Sequence, residues 1–424
     1  MSTNGLFSPA QSAYRSLHST ETSLLKVSND ILCALEEGKC TLLVTLDITA
    51  AFDTVNHQRL LQCFEHNFGF SETVLSWFTS YLSNRTQRVK IGHSFSESIA
   101  VESGFPQGSV LGGMKYNMYT TPLDKLIVAH SVSHEDYADD SNLYTSFDLR
   151  NCSDTTDSVA RLEHCLDDVE TWLLQNRLKL NHKKTEAVLF CPARQTNVDY
   201  CPTSVRVGKK QISVSNHFKS LGVVFDKPLK MVRHVNASSS SVFYHIRRIS
   251  KARRYFNRGV TETLVNAIVT SRLDYCNSLL CSLPMKSIRK LQCAQNAAAK
   301  TIFLARKRAH VTPLLKELHW LPVKFRCMYK VLILTYKTLS GEAPEYLIDL
   351  LSEYQPSRNL RSSSEHFLVR PRVQRNNYGN CAFCNLSPTL WNSLPTNIRK
   401  AESLTVFKGA LKTHFFMEHF DSHI

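Results

Sequence analysis

The chain has 424 residues, 43% of them hydrophobic, with only 14 Gly and 14 Pro, which is enough for two or three cores and excludes a fibrous or largely disordered protein. Its formal charge of +15 is uneven: residues 1–226 hold 20 Lys and Arg against 25 Asp and Glu, and residues 227–424 hold 31 against 11. A basic half suits a polyanion, most often nucleic acid, or a plain soluble surface. No signal peptide opens the chain, no run of about 18 apolar residues occurs, and the 13 Cys follow no framework spacing. The expectation is a reduced intracellular protein, nuclear or cytoplasmic, without a membrane partner.

Residues 1–12 read as an unstructured lead. A helix is expected over 19–37, capped by Ser19 or Thr20 and stopped by Gly38. Residues 41–46 form a continuous apolar run, the pattern of a buried strand. Leu60, Leu61, Phe64 and Phe68 fall at helical spacing. Residues 89–91 and 98–101 read as the arms of a hairpin, with Gly92 in the connection. A helix is expected over 110–128, then strand-turn-strand over 137–144 with an Asp pair at the tip. Residues 158–175 are an amphipathic helix carrying Leu162, Leu166, Val169 and Leu173. Strands are expected at 185–190 and 219–226. From about Lys230 the pattern is helical and basic, with 238–241 as a linker or helix start. Cys381 and Cys384 form one CxxC with nothing to complete a zinc site, so core packing or chance accounts for it.

The chemistry lies in the carboxylates. Asp47 closes the buried run, and Asp139 and Asp140 sit in a tight turn. A lone Asp pair would be an ordinary turn. A strand-end Asp together with a hairpin pair is the arrangement that holds two divalent cations about 3.5–4 Å apart. A buried carboxylate otherwise needs a cation or a donor. Mg²⁺ suits such a site because it prefers oxygen ligands and shares its shell with phosphates.

Five motifs in order resemble the palm of reverse transcriptases. They are Leu46-Asp47-Ile48-Thr49-Ala50-Ala51-Phe52, Gly104-Phe105-Pro106-Gln107-Gly108-Ser109, Tyr137-Ala138-Asp139-Asp140, Asn181-His182-Lys183-Lys184-Thr185, and Lys219-Ser220-Leu221-Gly222. Upstream, Gln11-Ser12-Ala13-Tyr14-Arg15 resembles a fingers-side motif of LINE-type enzymes. Downstream, Leu318-His319-Trp320-Leu321-Pro322 resembles the jockey and chicken-repeat branch of non-LTR retrotransposons. The resemblance covers roughly residues 10–410. It implies an α+β right-hand polymerase: partial fingers (1–40), a palm (41–226), a mainly helical basic thumb (227–305), and a C-terminal region without an assigned role (306–424).

The resemblance also implies roles. Asp47, Asp139 and Asp140 would ligate two Mg²⁺ ions, or Mn²⁺, with the Ile48 carbonyl as a further ligand. Phe52 would reject a 2′-hydroxyl, unless it is a core aromatic. Gln107 and Gly108 would meet the incoming dNTP, and Arg15 would clamp its triphosphate. Lys184, with Lys183 as competitor, would assist pyrophosphate departure. Leu221 and Gly222 would grip the primer. Arg247, Arg248, Lys251, Arg253 and Arg254, beside Tyr244 and Tyr255, would hold the DNA primer and RNA template, unless they are a solvated helix face.

The chain departs from the family pattern at Gly113 and Lys115, where many relatives carry Pro and a commonly apolar residue. It reads as N-terminally truncated, without room for more fingers sequence or an endonuclease. Two functions follow: an RNA-directed DNA polymerase, or a catalytically inactive nucleic-acid-binding remnant. A palm-type cyclase is a weaker third, disfavoured by the Pro-Gln-Gly turn.

Overall fold

The protein is described here by a computed structural model covering residues 6–105, 108–192, 201–355, 365–374 and 378–420. The chain divides into two compact units, Met1–Ser23 with Lys39–Phe218, and Leu24–Gly38 with Lys219–Ile424. Its elements begin with α1 (Thr20–Glu37), β1 (Cys40–Leu46), β2 (Ile48–Thr49), α2 (His57–Phe68) and α3 (Glu72–Leu82). A ribbon follows: β3 (Thr86–Gln87), β4 (Lys90–Ile91), β5 (Ser94–Phe95) and β6 (Ile99–Ala100). Then come α4 (Gly112–Ala129), β7 (Ser133–Tyr137), β8 (Asp140–Phe147), α5 (Cys152–Gln175), β9 (Lys179–Leu180) and β10 (Glu186–Phe190). The hairpins β11 (Ser204–Val207)–β12 (Lys210–Ser215) and β13 (His217–Ser220)–β14 (Val223–Asp226) lead into α6 (Val232–Ala252).

In the first unit a six-stranded sheet runs in the order β11-β12-β10-β1-β8-β7. β1 is its centre, antiparallel to β8 on one side and to β10 on the other. That position explains its unbroken apolar sequence, since a strand covered on both faces has no solvent side to alternate with. Leu162, Leu166, Val169 and Leu173 of α5 join Leu42, Val44 and Leu143 in one buried cluster.

The N-terminal stretch, where described, is not an unstructured lead. Asp136 N–H donates to the Ala10 carbonyl at 2.9 Å and Ser12 N–H to the Asp136 carbonyl at 2.8 Å. Phe7 is buried, and Ser12 Oγ donates to the buried Glu135 carboxylate at 2.6 Å. The cause is the edge of the sheet: β7 offers backbone groups that this segment satisfies.

Three further expectations shift. The ribbon is a nested ladder in which Lys90–Ile91 pairs with Ser94–Phe95 and Thr86–Gln87 with Ile99–Ala100, so the two expected arms do not pair with each other. Gly92, at φ +60°, makes the turn. The β11–β12 hairpin was not expected at all. Residues 238–241 lie inside α6, whose buried Val235, Val242, Ile246 and Ile249 carry the helix through the serine run.

The second unit is mainly helical. Thr335 Oγ1 and Ser387 Oγ are 2.6 Å apart within its core. His366 and Leu368 lie against the helix Phe383–Asn392: Asn392 exchanges hydrogen bonds with the Leu368 backbone, both at 2.9 Å, and Trp391 donates to the His366 carbonyl at 2.8 Å. The α1 portion of this unit is held by the same region. Asn29 accepts from Cys384 N–H at 3.1 Å, Glu36 accepts from Gly379 N–H at 3.0 Å, and Cys33 and Cys384 sulfurs lie 3.6 Å apart. Among the described residues no helix is long and apolar enough to cross a membrane.

Candidate active site

The register of the sheet builds the site. Thr45 pairs with Glu186 on one side and with Asn142 on the other. Leu46 pairs with Ser141, so the next step along that ladder brings Asp47 beside Asp140, while on the other side the ladder ends at Thr45–Glu186. Lys184 reaches the site by its side chain: its Nζ lies 3.4 Å from Asp47 Oδ1. The Asn181 N–H donates to the Asp47 carbonyl at 2.8 Å, and β2 pairs Ile48 with Leu180, which fixes the strand just past the carboxylate. Four expected residues, Asp47, Ile48, Asp140 and Lys184, therefore meet at one end of the sheet.

Asp139 arrives through the β7–β8 turn. Tyr137 pairs with Asp140, leaving Ala138 and Asp139 as a two-residue connection. Ala138 takes φ +59°, a left-handed conformation that alanine resists. Gln11 holds it there. Its Nε2 donates to the Ala138 carbonyl at 3.2 Å and its Oε1 accepts the Ala138 N–H at 2.9 Å. Gln11 is buried, and the sequence reading gave it no role although it opens a recognised motif.

The site is short of positive charge. Burial pushes the Asp140 carboxyl up to about 6, and the charges of Asp139 and Asp47 push the same way, against the pull of Lys184. Burial and then Asp47 raise Asp139. Asp47 Oδ2 is buried without a hydrogen-bond partner. Lys184 is 68% exposed and cannot neutralise three carboxylates by itself. Oxygen donors, crowding and an orphaned lone pair fit divalent cations of the Mg²⁺ type. Among the described residues no group of three such side chains is already gathered in ligand geometry, so the fit rests on charge and donor type.

The first and second motifs are laced together. Phe105 N–H donates to the Phe52 carbonyl at 3.0 Å, Gly104 N–H to the Val55 carbonyl at 2.8 Å, and His57 Nε2 bonds the Gly104 carbonyl at 2.8 Å. Gly104 has φ +79°, and a Cβ there would lie 2.6 Å from the Asp53 carbonyl oxygen. Only glycine satisfies both conditions. Gly108 also has positive φ, +80°, and faces open space. Gln107 lies outside the described residues. Phe52 is half-buried and stacks on Tyr116, with ring centroids 4.6 Å apart.

Other expected residues lie elsewhere or are engaged. Arg15 Nη1 donates to the carbonyls of Ser8 at 2.7 Å and Gln11 at 2.9 Å, within its own loop. Lys115 is buried; its ammonium sits 3.6 Å from the Tyr81 ring centroid and 5.1 Å from that of Phe105, a desolvated cation on two aromatic faces. In the second unit, Leu221 (φ +46°) and Gly222 (φ +79°) form the β13–β14 turn, with the Tyr275 hydroxyl donating to the Leu221 carbonyl at 2.6 Å. Arg247, Arg248, Lys251 and Arg254 are exposed, and Arg248 and Arg254 lie over Tyr244 and Tyr255. Arg253 is not on that face: it is buried, and its guanidinium donates to the carbonyls of Thr301, Phe256 and Ile302.

The "RNA-directed DNA polymerase from mobile element jockey" of Drosophila melanogaster is 27% identical over 245 residues, 57% of this chain and 25% of that protein. The "Probable RNA-directed DNA polymerase from transposon BS" of the same species is 27% identical over 262 residues, 60% of this chain and 27% of that protein. The chain thus spans about a quarter of the length of these curated relatives. Among solved structures, apo telomerase from Candida tropicalis aligns with a TM-score of 0.36 and 11% identity, covering 80% of this chain and 57% of that one. The family described as "Reverse transcriptase (RNA-dependent DNA polymerase)" matches residues 1–225, more than half of the chain, and it is to this reverse transcriptase family that the chain belongs.

Proposed function

We propose that this chain is the polymerase part of a non-LTR retrotransposon reverse transcriptase, adding dNMP to a primer 3′-end on an RNA template. What supports the reading is that the Lys184 ammonium lies 3.4 Å from Asp47 where β1 ends beside the turn that carries Asp139 and Asp140. Asp47, Asp139 and Asp140 would hold two Mg²⁺ ions, which when bound supply charge stabilisation to the attacking and leaving oxygens. The chain's own groups do the rest. Gln11 fixes the Ala138 turn and thereby aims Asp139. Lys184, exposed at the rim and tethered to Asp47, is placed to offer a cation or a proton to departing pyrophosphate. The laced loops at Phe52 and Gly104 present a rigid floor for the nucleotide sugar.

The exposed basic and aromatic groups along α6 suit a sequence-blind grip on a template–primer hybrid. Primer extension on an RNA template tests the reading. The unaltered chain incorporates dNTP with Mg²⁺, and Asp139→Ala lowers incorporation on the order of a thousandfold. Tight, salt-sensitive hybrid binding without incorporation would instead establish a binding remnant.

A further inference from the structure

Phe52 is not a free-standing ring. Tyr116 lies against one of its faces, 4.6 Å between centroids at 29°. Tyr116 is itself fully buried and cannot swing away. The ring of Tyr14 meets Phe52 edge-on, 6.4 Å between centroids at 81°. Both separations fall in the range of favourable aromatic pairs.

Tyr14 is held in this place at a cost. Its φ is +56°, a left-handed conformation that bulky side chains avoid and that persists where surrounding contacts enforce it. The residue is 60% exposed, so the pose does not come from core packing. Gly113 makes the seat. A Cβ at Gly113 would lie 2.6 Å from three Tyr14 ring atoms, so any side chain there would evict the ring. Gly113 is thus the residue that lets Tyr14 lie down beside Phe52.

An apolar pocket rejects a substrate carrying one additional hydroxyl only weakly by affinity, about a hundredfold at best. Exclusion of a 2′-hydroxyl by Phe52 must therefore be steric, and a steric wall works only if it cannot yield. We infer that Tyr14, seated on Gly113, is a positioning residue for sugar selection: it braces the edge of Phe52 while Tyr116 braces the face. This rests on the polymerase reading and adds to it a residue outside the palm motifs.

The test is the ratio of kcat/KM for dNTP and rNTP, measured by primer extension with the full chain. Tyr14→Ala relaxes discrimination roughly tenfold, and Tyr14→Phe, which keeps the ring, retains it. Gly113→Ala relaxes it to the same extent, and adding Gly113→Ala to Tyr14→Ala relaxes it no further, because the ring it would displace is already gone. A general folding defect lowers both rates and leaves the ratio alone. A Tyr14→Ala ratio equal to that of the unaltered chain overturns the inference, as does a Tyr14→Phe protein as permissive as Tyr14→Ala. Absence of incorporation by the unaltered chain is a different result: it sinks the polymerase reading and the brace with it.

Discussion

At the scale of single residues, the site depends on side chains that do no chemistry. Gln11 is the clearest. Its amide satisfies both backbone groups of Ala138, a residue in a conformation alanine does not choose. Gln11→Ala leaves that N–H and carbonyl without their partner, and the missing bonds should cost about 1–3 kcal/mol of stability. Incorporation should fall further than stability does, because Asp139 loses its aim. Urea unfolding alongside primer extension reads both. An unchanged midpoint with unchanged incorporation would leave Gln11 without a role at the site. Arg15, four residues on, shows why type and position in sequence do not fix a role. A cation in a fingers-like motif suggests a triphosphate clamp, yet its Nη1 is committed to two carbonyls of its own loop. Arg253 is the same lesson in the second unit.

At the scale of elements, the two loops that carry the first and second motifs behave as one piece. Gly104→Ala places a methyl group 2.6 Å from a backbone oxygen at φ +79°, where neither the methyl nor the Asp53 backbone can give way easily. We expect a loss of about 1–3 kcal/mol, the scale of overpacking, visible in thermal denaturation. A melt indistinguishable from that of the unaltered chain would mean the lacing is loose. Much of this level was legible in the sequence. β1 and α5 announce themselves by unbroken or periodic apolar residues, because their burial is set by that pattern, whereas the polar β7, Ser133–Tyr137, lies ahead of the span 137–144 expected for the hairpin. Motif order suggested Asp47 and Lys184 as partners, and the fold brings the Lys184 ammonium within 3.4 Å of the Asp47 carboxylate. What stayed hidden depends on long-range partners. The N-terminal segment takes its order from the β7 edge, which no local pattern reveals. The ribbon pairs in a register its short exposed strands do not specify. Tyr14 has no role of its own in the sequence until Gly113, far along the chain, lies beneath its ring.

At the scale of the whole molecule, charge and architecture divide the labour. The basic residues concentrate after residue 226, in the part of the chain that forms the helical unit, and the carboxylates of the site belong to the other unit. If α6 and the turn that follows it grip nucleic acid backbone, replacing Arg247, Arg248, Lys251 and Arg254 with Ala weakens hybrid binding equally across sequences. It also flattens the salt dependence by roughly one unit for each phosphate that is no longer neutralised. Arg253→Ala behaves differently. It strips donors from three carbonyls around a buried side chain and destabilises the fold by about 1–3 kcal/mol. A salt slope that does not move in the fourfold variant would assign that face to solvent. The C-terminal region, unassigned from sequence, clasps α1 through Asn29 and Glu36 within the same unit, which gives it at least a structural task.

The most direct test of the central claim is incorporation of dTTP on poly(rA)/oligo(dT) with Mg²⁺, comparing the unaltered chain with Asp47→Asn, Asp139→Asn and Asp140→Asn. Asp148→Asn, at a surface ion pair with Arg150, serves as control. The predicted result is incorporation by the unaltered chain and the control, and its collapse in all three site variants. Incorporation that survives in any of the three, or is absent from the unaltered chain while it binds the hybrid, contradicts the claim.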